Sequence, residues 1–173
     1  NIDKDKEMTD DTTKISNPNY SIGYEDLAKV YIRRSADKEA AYFLGHLRPG
    51  MRVLDIGCGL GSISVGLAAA VAPGEFQGID MEQSQIDVAT SVAQEAGLSN
   101  ALFQVADALA LPFPDDYFDA VHCNAIIVHI PDTSAALAEM YRVLKPGGIL
   151  GARELVFHSC FIEPDIGNLS RLY

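Results

Sequence analysis

Three glycines spaced two residues apart follow an apolar run that carries a carboxylate near its end. Residues 53–56 read Val-Leu-Asp-Ile, and Gly57, Gly59 and Gly61 come next. The apolar run predicts a buried parallel strand, and the glycines predict a tight turn into a helix whose N–H groups face a ligand. Because glycine has no Cβ, a ligand can approach the backbone of such a loop. The carboxylate of Asp55 can attract a cationic group of that ligand.

A second carboxylate ends the next strand-like segment. Residues 76–80 read Phe-Gln-Gly-Ile-Asp, and Asp80 lies 25 residues after Asp55. This separation fits one helix and one strand, which places Asp80 beside the glycine loop, where it can accept hydrogen bonds from both hydroxyls of a ribose. An N-cap for the helix that starts near Gln83 is the structural alternative. Met81 is expected against a face of an adenine or, alternatively, in the core.

Later stretches extend these signals into a resemblance to the class I S-adenosylmethionine (SAM) dependent methyltransferases. The glycine loop resembles their first motif, and Lys145-Pro146-Gly147-Gly148 resembles the turn before their fifth strand. Asp107-Ala108 resembles the motif that holds adenine, with a turn aspartate as the alternative. The segments 17–20 and 34–44 resemble a small-molecule branch related to ubiquinone and menaquinone biosynthesis and to natural-product methyltransferases.

The resemblance implies SAM as the cofactor and S-adenosylhomocysteine as the product. An arginine of the family's N-terminal helix corresponds to Arg34, with Arg33 as the second candidate, and would bind the methionine carboxylate. Two exposed arginines on a solvated helix are the alternative. The strand end that meets the cofactor's ammonium group corresponds to Asn124. The predicted cofactor site is Arg34, Asp55, Gly57, Cys58, Gly59, Gly61, Asp80, Met81, Asp107, Ala108 and Asn124.

Four residues are candidates for contact with the methyl acceptor. Methyl transfer from a sulfonium depends mainly on alignment and desolvation, so a catalytic base is optional. Glu154, at the end of the fifth strand, can receive a proton from an amine or hydroxyl, or can be a plain surface carboxylate. His129 can act as a base or orient the acceptor, or can make a structural hydrogen bond. Tyr20 and Tyr24 are expected to close over the site or to pack.

Alternating strand and helix patterns from Met51 onward predict an α/β fold: a doubly wound, Rossmann-like, mostly parallel sheet with helices on both faces. Strands are expected at 52–56, 76–80, 101–106, 118–124 and 148–155, and helices at 61–71, 83–96 and 133–144. The expected organisation is a disordered or lid-forming tail at 1–19, a helical lid at 20–48, a SAM-binding core at 49–156 and the start of an acceptor-binding segment at 157–173.

The resemblance implies a seven-stranded sheet, but the C-terminal hairpin that completes such a sheet is not recognisable after Phe157. Without it, the apolar strand at 148–155 would be an open edge that invites pairing. We therefore expect an incomplete polypeptide that is truncated, cleaved, or completed by a second chain or by homo-oligomerisation.

Composition narrows the function further. The net charge of −11 argues against nucleic acid as a partner, and no apolar run approaches a membrane span. The three cysteines lack metal-ligand spacing and predict reduced, cytoplasmic thiols, with no metal site. The predicted function is methyl transfer to N, O or S of a small organic acceptor in natural-product or quinone-like metabolism. The alternatives are a nicotinamide oxidoreductase, a SAM-binding regulatory or structural subunit, and an enzyme that uses the cofactor's charge to steer a cyclisation.

Overall fold

The computed structural model describes residues 33–154, which form a five-stranded parallel sheet with helices on both faces. The strands lie in the order β3-β2-β1-β4-β5, and each neighbouring pair is parallel. The predicted doubly wound α/β fold is therefore confirmed. The strands are β1 (Val53–Ile56), β2 (Phe76–Asp80), β3 (Ala101–Val105), β4 (Phe118–Asn124) and β5 (Leu144–Arg153).

Five α-helices accompany these strands in the described part of the chain. The segment predicted as a lid contributes two single turns here, interrupted at the fully buried Ala40. No helix between residues 33 and 154 is long and apolar enough to cross a membrane. The helices are α1 (Ala36–Glu39), α2 (Ala41–Leu44), α3 (Ser64–Val71), α4 (Gln83–Glu95) and α5 (Thr133–Val143), with a 3-10 turn at Ile127–His129.

The central strands β1, β2 and β4 are largely buried on both faces, as a parallel sheet requires. Every residue of β1 is buried, and its side chains alternate between two apolar clusters. Val53 packs in the cluster formed with α1, α2 and α3, whereas Leu54 and Ile56 belong to the cluster that includes α5. Full burial of each such side chain stabilises the fold by about 1.5–3 kcal/mol.

Two boundaries differ from the predictions for conformational reasons. α3 starts at Ser64 instead of residue 61, because Gly61 has a φ of +78°, outside the helical region. β5 starts at Leu144 instead of residue 148. Leu144 pairs with Phe118, but Ala120 pairs with Ile149, so the intervening residues bulge out of the ladder. Gly147, with a φ of +77°, permits this bulge.

Arg142 of α5 forms hydrogen bonds and ion pairs with the long connection between β3 and β4. Its guanidinium donates to the carbonyl oxygens of Leu111 and Phe113 at 3.0 and 2.8 Å. It also binds the carboxylates of Glu139 and Asp115, and its hydrogen bond holds the pKa of the Glu139 carboxyl below the usual value. The loop that begins after β3 is therefore held against α5.

We expect Gly151→Ala to lower the free energy of unfolding by about 1–3 kcal/mol, the usual effect of overpacking a tight contact. Gly151 lies in β5 beneath α2, and a Cβ there would collide with the ring of Phe43. Urea denaturation measures the change. Gly45→Ala is the control, since Gly45 has a helical φ of −61° and nothing within 4 Å of an added Cβ. Equal stability of the two variants would contradict the packing of α2 on β5.

Candidate active site

The order of the strands creates a crevice at the carboxyl ends of β1 and β4. From β1 the chain moves outward through β2 to β3 and then returns to the other side of β1 with β4. Such a reversal is where open α/β sheets bind ligands. The register pairs Ile56 with both Ile79 and Cys123, so the segments that follow β1, β2 and β4 meet at one edge.

Two of the three loop glycines are explained by packing within the protein and not by the predicted approach of a ligand to the backbone. Gly57, Gly59 and Gly61 all have positive φ values, of 70°, 53° and 78°. A Cβ on Gly57 would collide with Ile126, and one on Gly61 would lie 3.0 Å from the Cα of Ala89. These two glycines are therefore required by packing within the protein. Of the three, only Gly59 leaves room for a Cβ, whose nearest neighbour would be Gln85 Oε1 at 3.7 Å.

The first three N–H groups of the loop bind β2, and the expectation that the N–H groups of the following helix face a ligand stays a prediction. Gly57 and Cys58 both donate to the carbonyl oxygen of Ile79, at 2.8 and 2.9 Å. The N–H of Gly59 donates to Asp80 Oδ2 at 3.0 Å. The loop conformation is thus held by the neighbouring strand.

Asp80 ties the glycine loop to the start of α4. Its second oxygen, Oδ1, accepts from the N–H of Glu82 at 3.1 Å, and Glu82 is the residue that caps α4. A carboxylate oxygen has two acceptor directions, so Asp80 keeps capacity for further donors such as ribose hydroxyls. Met81 is 70% exposed, which excludes the alternative of core filling and leaves an apolar surface beside Asp80.

Asp107 makes the turn contact that is the structural alternative to adenine binding. Its Oδ1 accepts from the N–H of Leu109 at 2.8 Å, two residues further on. The side chain is exposed, and Ala108 is partly buried against the α5 side of the sheet. Asp107 therefore stabilises the turn after β3. Binding of adenine by Asp107 and Ala108 stays a prediction.

Asp55 does not present its carboxylate to a ligand as predicted. It is 3% exposed, because its position in β1 directs it to the face covered by α2 and α3. Its Oδ2 accepts from the hydroxyl of Ser64 at 2.6 Å, and Oδ1 lies 2.8 Å from Nδ1 of His122. His122 is fully buried in contact with the ring of Phe43, and its Nε2 has no partner in the described part of the chain.

Three predicted site residues come together in a cleft at the carboxyl ends of β4 and β5. Arg34, Asn124 and Glu154 all line it, and its volume is about 380 Å³. Arg33, the second candidate for the carboxylate of the cofactor, lies there too. The full lining is Arg33, Arg34, Lys38, Glu39, Asn124, Ala125, Arg153 and Glu154.

Two polar atoms on this lining are buried without a partner. Glu154 Oε1 accepts from the N–H groups of Ile126 and Ile127, both at 3.1 Å, but its Oε2 has no hydrogen bond within residues 33–154. Asn124 Nδ2 is in the same situation. A buried polar atom left unpaired costs about 1–3 kcal/mol, so this donor and this acceptor indicate a place for a polar ligand. Glu154 is therefore not a plain surface carboxylate.

His129, a further acceptor candidate, is not among the described residues that line the cleft. It is exposed at the end of the 3-10 turn. Its catalytic and substrate-binding roles stay predictions. Tyr20 and Tyr24 lie outside the described residues.

Sequence reasoning missed three side chains at or near the cleft. Tyr42 lies beside His122, with 6.4 Å between the ring centroids. Burial raises the pKa of the Tyr42 phenol, and the Asp55 and Glu154 carboxylates add to the effect, so it stays a hydrogen-bond donor at neutral pH. Lys38 and Arg153 line the cleft itself. Lys38 follows Arg34 by four residues, a spacing that could have placed both on one helix face.

The buried cysteines are neutral. Cys58, predicted at the cofactor, is 8% exposed, and burial raises the pKa of its thiol far above the ordinary value. Burial also raises the pKa of Cys123 to about 12. Both thiols therefore stay protonated near neutral pH and are poor nucleophiles.

Comparison with known proteins agrees with this fold. Residues 47–170 match the family described as methyltransferase domain. An uncharacterized methyltransferase of Schizosaccharomyces pombe is 33% identical over 144 residues, which are 80% of this chain and 52% of that protein. Demethylmenaquinone methyltransferase of Geobacillus kaustophilus is 35% identical over 72% of this chain and 58% of its own length.

The chain is also similar to a solved structure. The SAM-dependent methyltransferase of Methanosarcina mazei is 35% identical, with a TM-score of 0.54 over 61% of this chain and 54% of that one. The chain belongs to the methyltransferase-domain family. The resemblance to quinone-biosynthesis enzymes and the prediction of SAM as the cofactor are confirmed at the level of the family. The chain spans about half the length of the curated relatives it matches.

We expect Asp55→Ala to lower the free energy of unfolding by about 2–4 kcal/mol, because it leaves both Ser64 and His122 buried with fewer partners. Chemical denaturation measures the change. Asp87→Ala is the control, since Asp87 is an exposed carboxylate on α4 whose side chain accepts a hydrogen bond from Gln83. A loss at Asp55 no larger than that at Asp87 would contradict the buried network.

Proposed function

We propose that this chain forms the cofactor-binding core of a SAM-dependent methyltransferase that transfers a methyl group to N, O or S of a small organic acceptor. The reaction proposed is an in-line displacement. The observation that carries the proposal is the cleft at the carboxyl ends of β4 and β5, where Asn124 Nδ2 and Glu154 Oε2 are buried and have no hydrogen-bond partner within residues 33–154. In a chain of the methyltransferase-domain family, such atoms are suited to a cofactor and an acceptor.

The residues at this edge fit the parts of SAM. Asp80 retains acceptor capacity suited to ribose hydroxyls, and the exposed Met81 offers an apolar surface suited to adenine. Arg34, on the cleft lining, is suited to the carboxylate of the methionine part. Asp107 and Ala108 are proposed to hold the edge of the adenine. When bound, SAM supplies a methyl group attached to a sulfonium.

The protein's own contribution is to align the acceptor and to receive its proton. Glu154 Oε1 accepts from two backbone N–H groups, which orients the carboxylate. Oε2 has no hydrogen bond within residues 33–154 and can accept one from a ligand. A hydroxyl or amine hydrogen-bonded to Oε2 can pass its proton there as the methyl group is transferred. The phenol of Tyr42 is a further donor on the side of His122.

The relatives favour transfer over the alternatives. A nicotinamide oxidoreductase is disfavoured, because the chain belongs to the methyltransferase-domain family. The demethylmenaquinone methyltransferase relative supports an acceptor of quinone-like or natural-product type. A SAM-binding subunit without transfer activity is the alternative that the experiment below separates from the main proposal. A second chain or second copy at the edge of β5 is a further proposal. Action inside the cytoplasm is proposed because Cys58 and Cys123 are free, buried thiols.

The experiment that tests the function has two stages. Calorimetry of the full-length protein is expected to give heat of binding with S-adenosylhomocysteine and none with NADH. Transfer of labelled methyl from SAM to a panel of phenols, amines and thiols is then expected. Binding without transfer to any acceptor would favour the regulatory alternative. No binding of S-adenosylhomocysteine by folded protein would overturn the proposal.

We expect Asp80→Ala to weaken the affinity for S-adenosylhomocysteine by about 1–3 kcal/mol, the usual effect of removing hydrogen bonds to a charged group. Loss of the Gly59 and Glu82 contacts also loosens the loop. Calorimetry gives the dissociation constant. Asp87→Ala removes the same charge from the exposed face of α4 and is expected to leave it unchanged. Equal affinities for the two variants would remove Asp80 from the site.

We expect Glu154→Gln to lower kcat by about 100-fold with hydroxyl or amine acceptors, in the range attributed to a general base. The amide oxygen can still accept from Ile126 and Ile127, so affinity for S-adenosylhomocysteine is expected to stay the same. Glu82→Gln is the matched control outside the cleft. Full turnover by the Glu154 variant would exclude its role as the proton acceptor.

A further inference from the structure

The cleft at β4 and β5 carries more positive charge than the proposed cofactor requires. Its lining contains four cationic side chains and two carboxylates, although the whole chain has a net charge of −11. SAM has one carboxylate, which Arg34 is proposed to bind, and its ammonium and sulfonium groups are themselves positive. The other three cations are Arg33, Lys38 and Arg153.

Two of these cations have no counterpart in the described protein. Arg153 pairs with Glu39 across the cleft. In contrast, Arg33 and Lys38 are exposed, and neither side chain makes an ion pair or hydrogen bond within residues 33–154. Cationic side chains that share a cleft repel one another, and an anion placed among them relieves this repulsion. The cleft therefore favours a second negative group besides the cofactor carboxylate.

Asn124 Nδ2 and Glu154 Oε2, which lack hydrogen-bond partners within residues 33–154, indicate which chemical group of the ligand lies beside its negative group. Asn124 Nδ2 offers a proton, and Glu154 Oε2 accepts one. A hydroxyl or amine satisfies both, since it accepts and donates at once. A carboxylate in the same position would satisfy Asn124 but would be repelled by Glu154. The anionic group of the ligand thus belongs with the cations, and a neutral protic group belongs with Asn124 and Glu154.

We propose that the methyl acceptor is a small organic acid whose hydroxyl or amine lies at Asn124 and Glu154 and whose carboxylate lies at Arg33 and Lys38. This inference rests on the function proposed above. In the reaction the acceptor's O–H or N–H proton goes to Glu154 Oε2 and an O–CH₃ or N–CH₃ bond forms. The S–CH₃ bond of the sulfonium breaks, and its electron pair stays on sulfur.

Matched probes that differ only in charge test the substrate class. Full-length protein saturated with S-adenosylhomocysteine is titrated calorimetrically with 4-hydroxybenzoate and 4-hydroxybenzamide, and with 3-hydroxybutyrate and 3-hydroxybutyramide. We expect the acid of at least one pair to bind about tenfold more tightly than its amide, because its contacts with cations are charge-assisted. This advantage is expected to shrink as salt rises from about 50 to about 500 mM. Amides that bind as well as the acids, or acids that do not bind at millimolar concentration, would overturn the proposal.

A pair of double variants separates the cleft from the net charge of the protein. Arg33→Gln with Lys38→Gln, saturated with S-adenosylhomocysteine, is expected to weaken acid binding by about five- to tenfold, the effect of two exposed ion pairs. Arg48→Gln with Arg52→Gln removes the same charge outside the cleft and is expected to leave acid binding unchanged. Equal losses in both variants would contradict the proposed position of the carboxylate.

The two proposals fail in different ways. If the folded protein does not bind S-adenosylhomocysteine, the function itself fails. If it binds S-adenosylhomocysteine but shows no preference for the acids, only the substrate class fails.

Discussion

The parallel register of β1 with its two neighbours is the constraint on which the site depends. β1 has only four residues, and it pairs on one side with β2 and on the other with β4. Because parallel strands end at the same edge, groups far apart in sequence arrive together there. The Asp80 carboxylate reaches the N–H of Gly59, and Asn124 and Glu154 reach the same cleft. Without this register the glycine loop would have no strand end to hold it.

The side-chain alternation of the same strand divides the acidic residues by role. Asp55 points to the face beneath α2 and α3, where Ser64 and His122 bind both of its oxygens. Asp80, at the very end of β2, remains at the edge and holds the loop from outside. The carbonyl of Ile79 takes two further N–H groups of the loop. The loop is thus held in one conformation by the protein alone, and such preorganisation lowers the entropy lost when a ligand binds.

The strands and their order of appearance could be predicted from sequence, because apolar runs and glycine turns are local signals. The same signals single out the glycine loop, Asp80 and Asp107, whose roles at a cofactor stay predictions. The steric requirement for glycine at position 57 could not be predicted, because it comes from Ile126, which is close to Gly57 only in the folded chain. The partners of Asp55 were hidden for the same reason. The bulge in β5 depends on its pairing with β4, and the cation cluster needs α1 and β5 to meet.

One edge of the sheet is proposed to bind both SAM and the acceptor. A crystal structure of the full-length protein with S-adenosylhomocysteine tests this binding site most directly. We expect the ribose beside Asp80, the adenine between Met81 and Asp107, and the homocysteine carboxylate toward Arg34. Density for the ligand at the opposite edge of the sheet, or on the outer surface of α5, would contradict it.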